Sequence, residues 1–257
     1  MTENKITSSN ILVSVVTATF NSERFIIDTY NSILNQTVTN WEWIVTDDCS
    51  SDSTMEILKD IQSKDKRVKV FTNEKNYGAA VSRNKCLANC KGEYIAFVDS
   101  DDIWYEKKLE KQLKFMNSNI DFSFTAFEII SEDAQSKQCL IDIKEIPPLC
   151  YRDMLKKRAT LGCSTVILRS RSFPNLQMPL LRTGQDYATW LLILKSGNKA
   201  HLLTEALTKY RIVNNSISRN KFKKALRQWQ IYREVEGLSL SNSLYYFCHY
   251  AYKALSR

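Results

Sequence analysis

Four short apolar runs, each too short for a helix and each followed by a helical face, set the architecture of residues 11–120. Ile11-Leu12-Val13-Ser14-Val15-Val16 reads as a buried strand, as does Tyr94-Ile95-Ala96-Phe97-Val98, and residues 41–46 and Val68-Lys69-Val70-Phe71 read as strands between them. Apolar residues at helical spacing lie between them: Ile26, Tyr30, Ile33 and Leu34, then Met55, Leu58 and Ile61, then Ala80, Val81, Leu87 and Ala88. This alternation implies right-handed crossovers and an α/β architecture, a mostly parallel sheet covered on both faces. Ligands in such sheets bind beyond the carboxyl ends of the strands. Polar residues gather there: residues 17–21, then Asp47 and Asp48, then Asp99-Ser100-Asp101-Asp102.

The alternation fades past residue 120. Residues 122–130 and 164–168 are further strand candidates and residues 187–194 a short apolar helix, with no linker, repeat or low-complexity tract. The second half is therefore expected to extend the same sheet. With 257 residues and 44% hydrophobic content, the chain suits one domain with a sizeable core plus a C-terminal appendage. Its formal net charge of +8 favours an anionic partner without choosing among nucleic acid, anionic lipid and a phosphorylated substrate. No helix-turn-helix, zinc or RNA-recognition pattern is found, so nucleic acid is set aside. The seven cysteines show no CxxC pair and no framework spacing, which reads as reduced thiols in a cytosolic protein. Residues 1–10 are polar with no signal-peptide core, and no run of about 18 apolar residues could span a bilayer.

The acidic loop after the fourth strand carries the most chemistry. A buried strand ending in three carboxylates needs a cation, a proton or sugar hydroxyls to share them. Carboxylate oxygen suits hard ions such as Mg2+ and Mn2+, which also take substrate phosphates as ligands. The other reading is that Ser100 or Asp101 caps a helix running through Leu109, Leu113 and Met116. Asp47-Asp48-Cys49-Ser50-Ser51-Asp52-Ser53-Thr54 is open in the same way: an ordinary cap, or a doubled Asp accepting hydrogen bonds from a base or ribose. In residues 76–84 the small side chains let a ligand come close, while Arg83 either contacts a phosphate or pairs with a rim Asp. Asp186, in Thr183-Gly184-Gln185-Asp186, either caps the helix that follows or serves as a base.

Taken together, Thr17-Ala18-Thr19-Phe20-Asn21, Asp47-Asp48-Cys49-Ser50, Asn76-Tyr77-Gly78 with Ser82-Arg83-Asn84, Asp99-Ser100-Asp101-Asp102 and Gly184-Gln185-Asp186-Tyr187 resemble, in order and spacing, the inverting family 2 glycosyltransferases of the GT-A fold. The resemblance covers roughly residues 11–215, and the chain looks most like bacterial transferases that build teichuronic acid, O-antigen or capsule. It implies a Rossmann-like nucleotide-sugar half at residues 11–120, an acceptor half at 121–220, a C-terminal helical extension at 221–257 and a polar tail at 1–10. It also implies a UDP-sugar donor held at Thr17, Ala18, Phe20, Asn21, Asp48, Gly78, Arg83, Asp99, Ser100 and Asp101, with uracil near Ala18, Phe20 and Asp48. Asp101, with Asp99 as a second candidate, would hold the Mn2+ or Mg2+ that bridges the diphosphate. Asp99 would contact ribose or sugar, Asp102 would be a cap or a support behind the ligands, and Asp186 would be the general base. The ion neutralises charge growing on the leaving diphosphate, while the base takes a proton from the acceptor hydroxyl on the opposite face of the anomeric carbon. Gln185, Trp190, Arg211 and Lys221 complete the candidate set. The last two are phosphate contacts in residues 210–221, where a segment resembles a flap over the donor diphosphate and a solvated basic loop is the alternative.

Three positions depart from the family pattern: Ala18 replaces the usual Pro, Cys49 the usual Gly, and Gln185 the acid that normally precedes the base. The first two read as tolerated backbone positions; the third removes a charge beside the acceptor. The Gln/Arg-x-x-Arg-Trp signature of processive synthases is missing after Asp186, so one sugar per encounter is expected. Beyond residue 221, Lys223, Lys224, Arg227, Arg233 and Lys253 are interleaved with Trp229, Tyr232, Tyr245, Tyr246 and Tyr250, and Leu244, Phe247, Cys248, Ala251 and Leu255 share one helical face. Such a helix suits an anionic membrane surface, and equally its own domain or a second copy in a homodimer. The expectation is a metal-dependent transferase of a single hexosyl unit from a UDP-sugar to a polyprenyl-diphosphate-linked acceptor, cytoplasmic and peripheral at the inner face of the plasma membrane. A sugar-phosphate nucleotidyltransferase would carry a Gly-rich phosphate loop near the start of the fold, yet residues 11–24 contain no glycine. A non-catalytic carbohydrate-binding protein of the same fold would be expected to have lost acidic residues that are all present.

Overall fold

The computed structural model describes residues 12–116, 119–213 and 221–255, so residues 1–10, Ile11 and the part of the expected flap (210–218) beyond residue 213 lie outside the described residues. The chain begins β1 (Val13–Thr19), α1 (Ile26–Leu34), β2 (Trp41–Asp47), α2 (Thr54–Lys64), β3 (Val68–Thr72), α3 (Ala79–Leu87) and β4 (Tyr94–Phe97). β5 (Ile103–Trp104), α4 (Lys108–Phe115), β6 (Phe122–Ile130), β7 (Ser136–Ile141), α5 (Tyr151–Leu155), β8 (Ile167–Arg169), α6 (Gln185–Lys195) and β9 (His201–Arg211) follow. α7 (Lys221–Gln230) continues into a π-helical turn at Ile231–Val235, and α8 (Leu240–Leu255) comes last.

Among the described residues, nine strands form one sheet in the order β3-β2-β1-β4-β8-β6-β9-β5, with β7 beside β6. β3, β2, β1 and β4 are mutually parallel, so their carboxyl ends share one rim. β1 and β2 are buried on both faces, which is why they read as unbroken apolar runs rather than alternations. One core layer gathers Ile26, Ile33, Leu58, Trp41, Trp43 and Leu109; the other gathers Phe97, Phe122, Phe124, Trp190 and Leu191. Past β4 the pairing turns antiparallel through β8, and β6 joins β8 on its far side, so the second half of the chain continues the same sheet.

Three local expectations give way to long-range contacts. The helix expected from the acidic tetrad starts only at Lys108, because Ile103 and Trp104 first pair with Lys209 and Thr208 of β9. No residue of the tetrad caps it. Residues 164 and 165, expected to begin a strand, belong instead to a 3-10 turn at Cys163–Thr165: Ser164 Oγ donates to Asp102 Oδ2 at 2.5 Å and Thr165 Oγ1 to Gly162 O at 2.7 Å. The C-terminal helices lie on the domain, where Tyr232 is fully buried and donates to Leu155 O at 2.7 Å. α8 turns Ser243, Tyr246 and Phe247 inward, because Tyr232 and Trp229 offer them aromatic partners at 6.3 and 5.5 Å. Leu244 and Cys248 of the expected face therefore point outward, with Leu240, Tyr245 and Tyr252. Among the described residues no helix is long and apolar enough to cross a membrane.

Candidate active site

The loops after β1, β2 and β3 are stitched to one another. Asp47 closes β2 by accepting from Ser50 Oγ at 2.5 Å and Ser50 N at 2.9 Å, a turn that holds Cys49 at φ +66°. Asp48 is buried, and both its oxygens are engaged: Oδ1 accepts from Asn73 Nδ2 at 2.8 Å and Tyr77 N at 3.0 Å, Oδ2 from Gly78 N at 2.6 Å. The carboxylate thus fixes the entry to α3 and keeps one lone-pair direction on Oδ2. Asn21, at φ +49°, ties the first loop to the second: its Oδ1 accepts from Ser51 N at 2.9 Å and its amide donates to Ser50 Oγ at 2.9 Å. Phe20 stands beside it, 47% exposed, above the half-buried Ala18.

The acidic tetrad is the opposite of self-sufficient. Asp99 remains partly open, with Arg83 Nη2 donating to its Oδ1 at 2.5 Å. Arg83 is buried, and its Nε and Nη1 have no partner among the described residues, so two donors wait in the cleft. Burial works against this guanidinium charge, but Cys163, Asp99 and Asp186 outweigh it and its pKa is raised. Ser100 Oγ lies 2.8 Å from Ser22 Oγ. The Asp101 carboxylate receives no hydrogen bond from another residue among those described. Burial, then the charge of Asp99, pushes it up against the pull of Arg211 and Arg83. Asp102 is fully buried and raised by burial and by its two acidic neighbours, although Ser164 Oγ and the Arg211 amide donate to it at 2.5 and 2.9 Å.

Asp186 sits in the first turn of α6, after Gly184 at φ +73°. Burial raises its carboxyl, Arg83 opposes the rise, and the charge of Asp99 adds to it. A carboxylate that feels both charges lies near the Arg83–Asp99 pair. Cys163 completes the same cluster, its thiol pushed well up by burial.

Three expected site residues are placed elsewhere. Thr17 is fully buried, its hydroxyl donating to Val98 O and accepting from Trp43 Nε1, both at 2.9 Å, so it seals the core instead of facing the rim. Trp190 is fully buried against Phe97 and Phe122, each ring 5.5 Å away. Arg211 is 4% exposed and committed: Nε donates to Asp101 O at 2.7 Å, Nη1 to Glu132 O at 2.5 Å and Nη2 to Asp28 Oδ2 at 2.9 Å. It clamps the acidic loop and is not available to a phosphate. Gln185 is buried with Oε1 unpartnered among the described residues, and Lys221 opens α7 with its side chain outside them. The sequence reading missed Asn73, which ends β3 as Asp47 ends β2 and was open to the same strand-end rule. Ser164 and Arg182 were likewise outside the expected set, and Asn84 stood in the motif without a role. Asn84 clamps Met178 through both its amide atoms at 2.7 and 2.9 Å, and Arg182 reaches Asn76 Oδ1 at 2.6 Å.

Among the described residues no three acidic, His or Cys side chains gather to hold an ion by themselves. Asp99 and Asp101 nevertheless fit a hard cation that draws its other ligands from a phosphorylated substrate. Their donors are carboxylate oxygens, and the raised Asp101 carboxyl marks negative charge that the protein leaves uncompensated.

Residues 14–170 match the family described as Glycosyl transferase family 2. The chain is 44% identical over 247 residues to the "Putative teichuronic acid biosynthesis glycosyltransferase TuaG" of Bacillus subtilis (strain 168), spanning 96% of this chain and 97% of that protein. It is 36% identical over 241 residues to the "UDP-Glc:alpha-D-GlcNAc-diphosphoundecaprenol beta-1,3-glucosyltransferase WfgD" of Escherichia coli, spanning 93% and 92%. S. aureus TarS 1-349 in complex with UDP-GlcNAc superposes with a TM-score of 0.69 at 22% identity, over 90% of this chain and 69% of that one. The mannosyltransferase PcManGT from Pyrobaculum calidifontis, in complex with GDP-Man and Mn2+, gives 0.68 at 15% identity, over 88% and 64%. The mixed sheet, its flanking helices and these neighbours define a GT-A fold, and the chain belongs to glycosyl transferase family 2.

Proposed function

We propose that this glycosyltransferase moves a single sugar, with inversion, from a UDP-sugar to a polyprenyl-diphosphate-linked acceptor during synthesis of a bacterial surface polysaccharide. The observation that carries this reading is the Arg83–Asp99 ion pair beyond the carboxyl ends of the parallel strands, near enough to Asp186 that both charges act on its carboxyl. Ala18 and Phe20 line the uracil side, and Asp48 offers the base its remaining lone pair while holding the Tyr77 and Gly78 amides. The unpartnered Nε and Nη1 of Arg83 donate to the donor's phosphate or sugar oxygens. A divalent cation on Asp101, with Asp99 beside it, would neutralise charge on the leaving diphosphate. Asp186 takes the proton of the acceptor hydroxyl, and a carboxyl held above its ordinary range is the stronger base for that step. Gln185 leaves the acceptor side with one acid fewer.

WfgD, as its name states, uses UDP-Glc and a diphosphoundecaprenol-linked GlcNAc, and this likeness supports the same classes of donor and acceptor here. The UDP-GlcNAc bound to TarS and the Mn2+ in PcManGT support a nucleotide-sugar and a divalent ion on the shared fold. In this reading residues 11–120 hold the donor and residues 121–220 carry the base. The outward Leu240, Leu244, Tyr245 and Tyr252 of α8 rest on the anionic inner leaflet, where a lipid-linked acceptor resides. The test is transfer from UDP-sugars to GlcNAc on a diphosphate-linked alkyl chain with Mn2+ or Mg2+, read by mass spectrometry, with the new anomeric linkage assigned by NMR. Asp186→Asn is expected to abolish transfer while UDP binding is kept. Full turnover by that variant would move the base elsewhere, and full wild-type turnover in excess chelator would remove the metal.

A further inference from the structure

We infer that Arg182, Arg227 and Lys157 form a cationic rim that binds the diphosphate of the acceptor. The inference rests on the acceptor class proposed above and adds the residues that recognise it. The three side chains come from separate parts of the chain and meet on the segment that carries Asp186. Arg182 lies within that segment. Arg227 reaches it from α7, with Nε donating to Thr183 Oγ1 at 2.9 Å. Arg227 also lies so close to Gly184 that a Cβ there would stand 3.4 Å from its Cγ. Lys157 follows α5 at φ +54°, and its Nζ stands 3.3 Å from the centre of the Tyr187 ring, near enough that its charge acts on the Asp186 carboxyl.

What singles out the two arginines is their charge balance. Three other cations of this region are matched: Arg83 by Asp99 at 2.5 Å, Arg158 by Asp153 at 2.8 Å and Lys195 by Glu236 at 3.1 Å. Among the described residues, Arg182 donates only to the neutral amide oxygen of Asn76, at 2.6 Å, and Arg227 only to the Thr183 hydroxyl. Two guanidinium groups on the segment before Asp186 thus donate to neutral oxygens only, and an anion with several oxygens would engage their remaining N–H donors. The donor's diphosphate is served by Arg83 and the acidic loop. The acceptor brings a second diphosphate, one sugar ring away from the hydroxyl that Asp186 deprotonates; Lys157 acts on that carboxyl, and Arg227 packs on Gly184 two residues before it. Arg182 also touches the donor side, since its Nη1 would lie 3.2 Å from a Cβ at Gly78, so the experiment must separate the two diphosphates.

Two acceptors carrying the same GlcNAc make that separation, one on a short alkyl diphosphate and one as a neutral alkyl glycoside, each titrated apart from the UDP-sugar. Arg182→Gln and Arg227→Gln are expected to raise KM for the diphosphate acceptor by roughly tenfold each. For Arg227→Gln the KM values for the UDP-sugar and for the neutral glycoside stay as they are, and Arg182→Lys recovers part of the loss at the diphosphate acceptor. Wild-type KM for the diphosphate acceptor should also rise with ionic strength. A rise in the donor KM instead assigns the rim to the donor and overturns the inference, as does an equal effect on both acceptors. Should the wild type transfer to neither acceptor, the proposed acceptor class fails by itself, and calorimetry with inorganic pyrophosphate then decides the rim. With UDP and Mn2+ filling the donor site, pyrophosphate should bind the wild type and not the Arg182→Gln/Arg227→Gln protein; no binding, or equal binding, sinks the inference. Matching circular-dichroism melts establish that the variants are folded.

Discussion

After β2, every carboxylate oxygen of Asp47 and Asp48 accepts a hydrogen bond, from Ser50, Asn73, Tyr77 or Gly78; after β4, among the described residues, the Asp101 carboxylate accepts none from another residue and the Asp99 carboxylate only that of Arg83. Both loops end buried parallel strands, and both were read from sequence as acidic ligand loops. Their physics differs. The first uses negative charge to build shape, because each oxygen organises amides that would otherwise be buried without an acceptor. The second leaves charge unbalanced, and burial together with the crowding of Asp99, Asp101 and Asp102 holds Asp101 and Asp102 above the ordinary carboxylate range. A preformed wall and an unbalanced charge sit side by side, and only the second calls for a cation.

Asp101→Asn tests that contrast with the largest effect. Transfer should fall by about a thousandfold or more, as it does when a group that stabilises transition-state charge is removed. Stability should move the other way. The Asp101 carboxyl titrates above its unfolded value, so its charge costs stability in full above the folded pKa, and the cost fades as pH falls towards the unfolded value. At neutral pH the Asn variant is therefore expected to melt higher than the wild type. A variant both inactive and less stable would show that Asp101 supports the fold.

The same contrast predicts the reverse for Asp48→Ala. Asn73 Nδ2 keeps Ser82 Oγ at 3.0 Å, but the Tyr77 and Gly78 amides lose their acceptor. Chemical denaturation should show a loss of about 2–4 kcal/mol, with UDP affinity falling because the wall itself moves. A stable Asp48→Ala protein that still binds UDP would make the two loops equivalent after all.

A smaller effect lies in the pH profile. Asp186 must be deprotonated to accept a proton, and burial holds its carboxyl above the ordinary range. The acid limb of kcat/KM is therefore expected above pH ~4, the usual midpoint for a carboxylate. Arg83 opposes the rise, so Arg83→Gln should shift the limb further upward in whatever activity remains. A limb at the ordinary carboxylate value would place the titrating base in water.

The first half of the fold was legible in sequence because β1, β2 and β4 are largely buried on both sides and β3, a half-buried edge strand, still carries three apolar residues, and their polar ends mark one rim. β9 escaped because it is half-buried and broken by register shifts against β6, which erase any clean period; β5 is two residues long. Within the site, residue type found the acids but not the side of the backbone they use. Thr17 lies beside Ala18 in the rim motif, yet its hydroxyl turns into the core because neighbouring strand residues point to opposite faces. Trp190 and Arg211 mislead for a related reason: aromatic and cationic side chains serve a core or a buried clamp as well as they serve a ligand. Ser164 and Arg182 could not be found locally at all, since their partners lie 62 and 106 positions away in the chain.

The smallest effect is expected at Cys49, where the wall was assembled at a cost. Asp47 draws Ser50 back by its amide and hydroxyl, and the turn between them requires Cys49 at φ +66°, a conformation that an L side chain adopts only with strain of about 1 kcal/mol. The thiol offers little in return, being exposed and 3.7 Å from Glu74 O. Cys49→Gly removes the strain and gives back part of the gain through the freer unfolded chain. A net rise of about 0.5 kcal/mol in unfolding free energy is expected, with UDP affinity unchanged because Asp48 keeps its three donors. If Cys49→Gly instead weakened UDP binding, the left-handed turn would have to depend on the side chain it carries, and the wall after β2 would be as unfinished as the loop after β4.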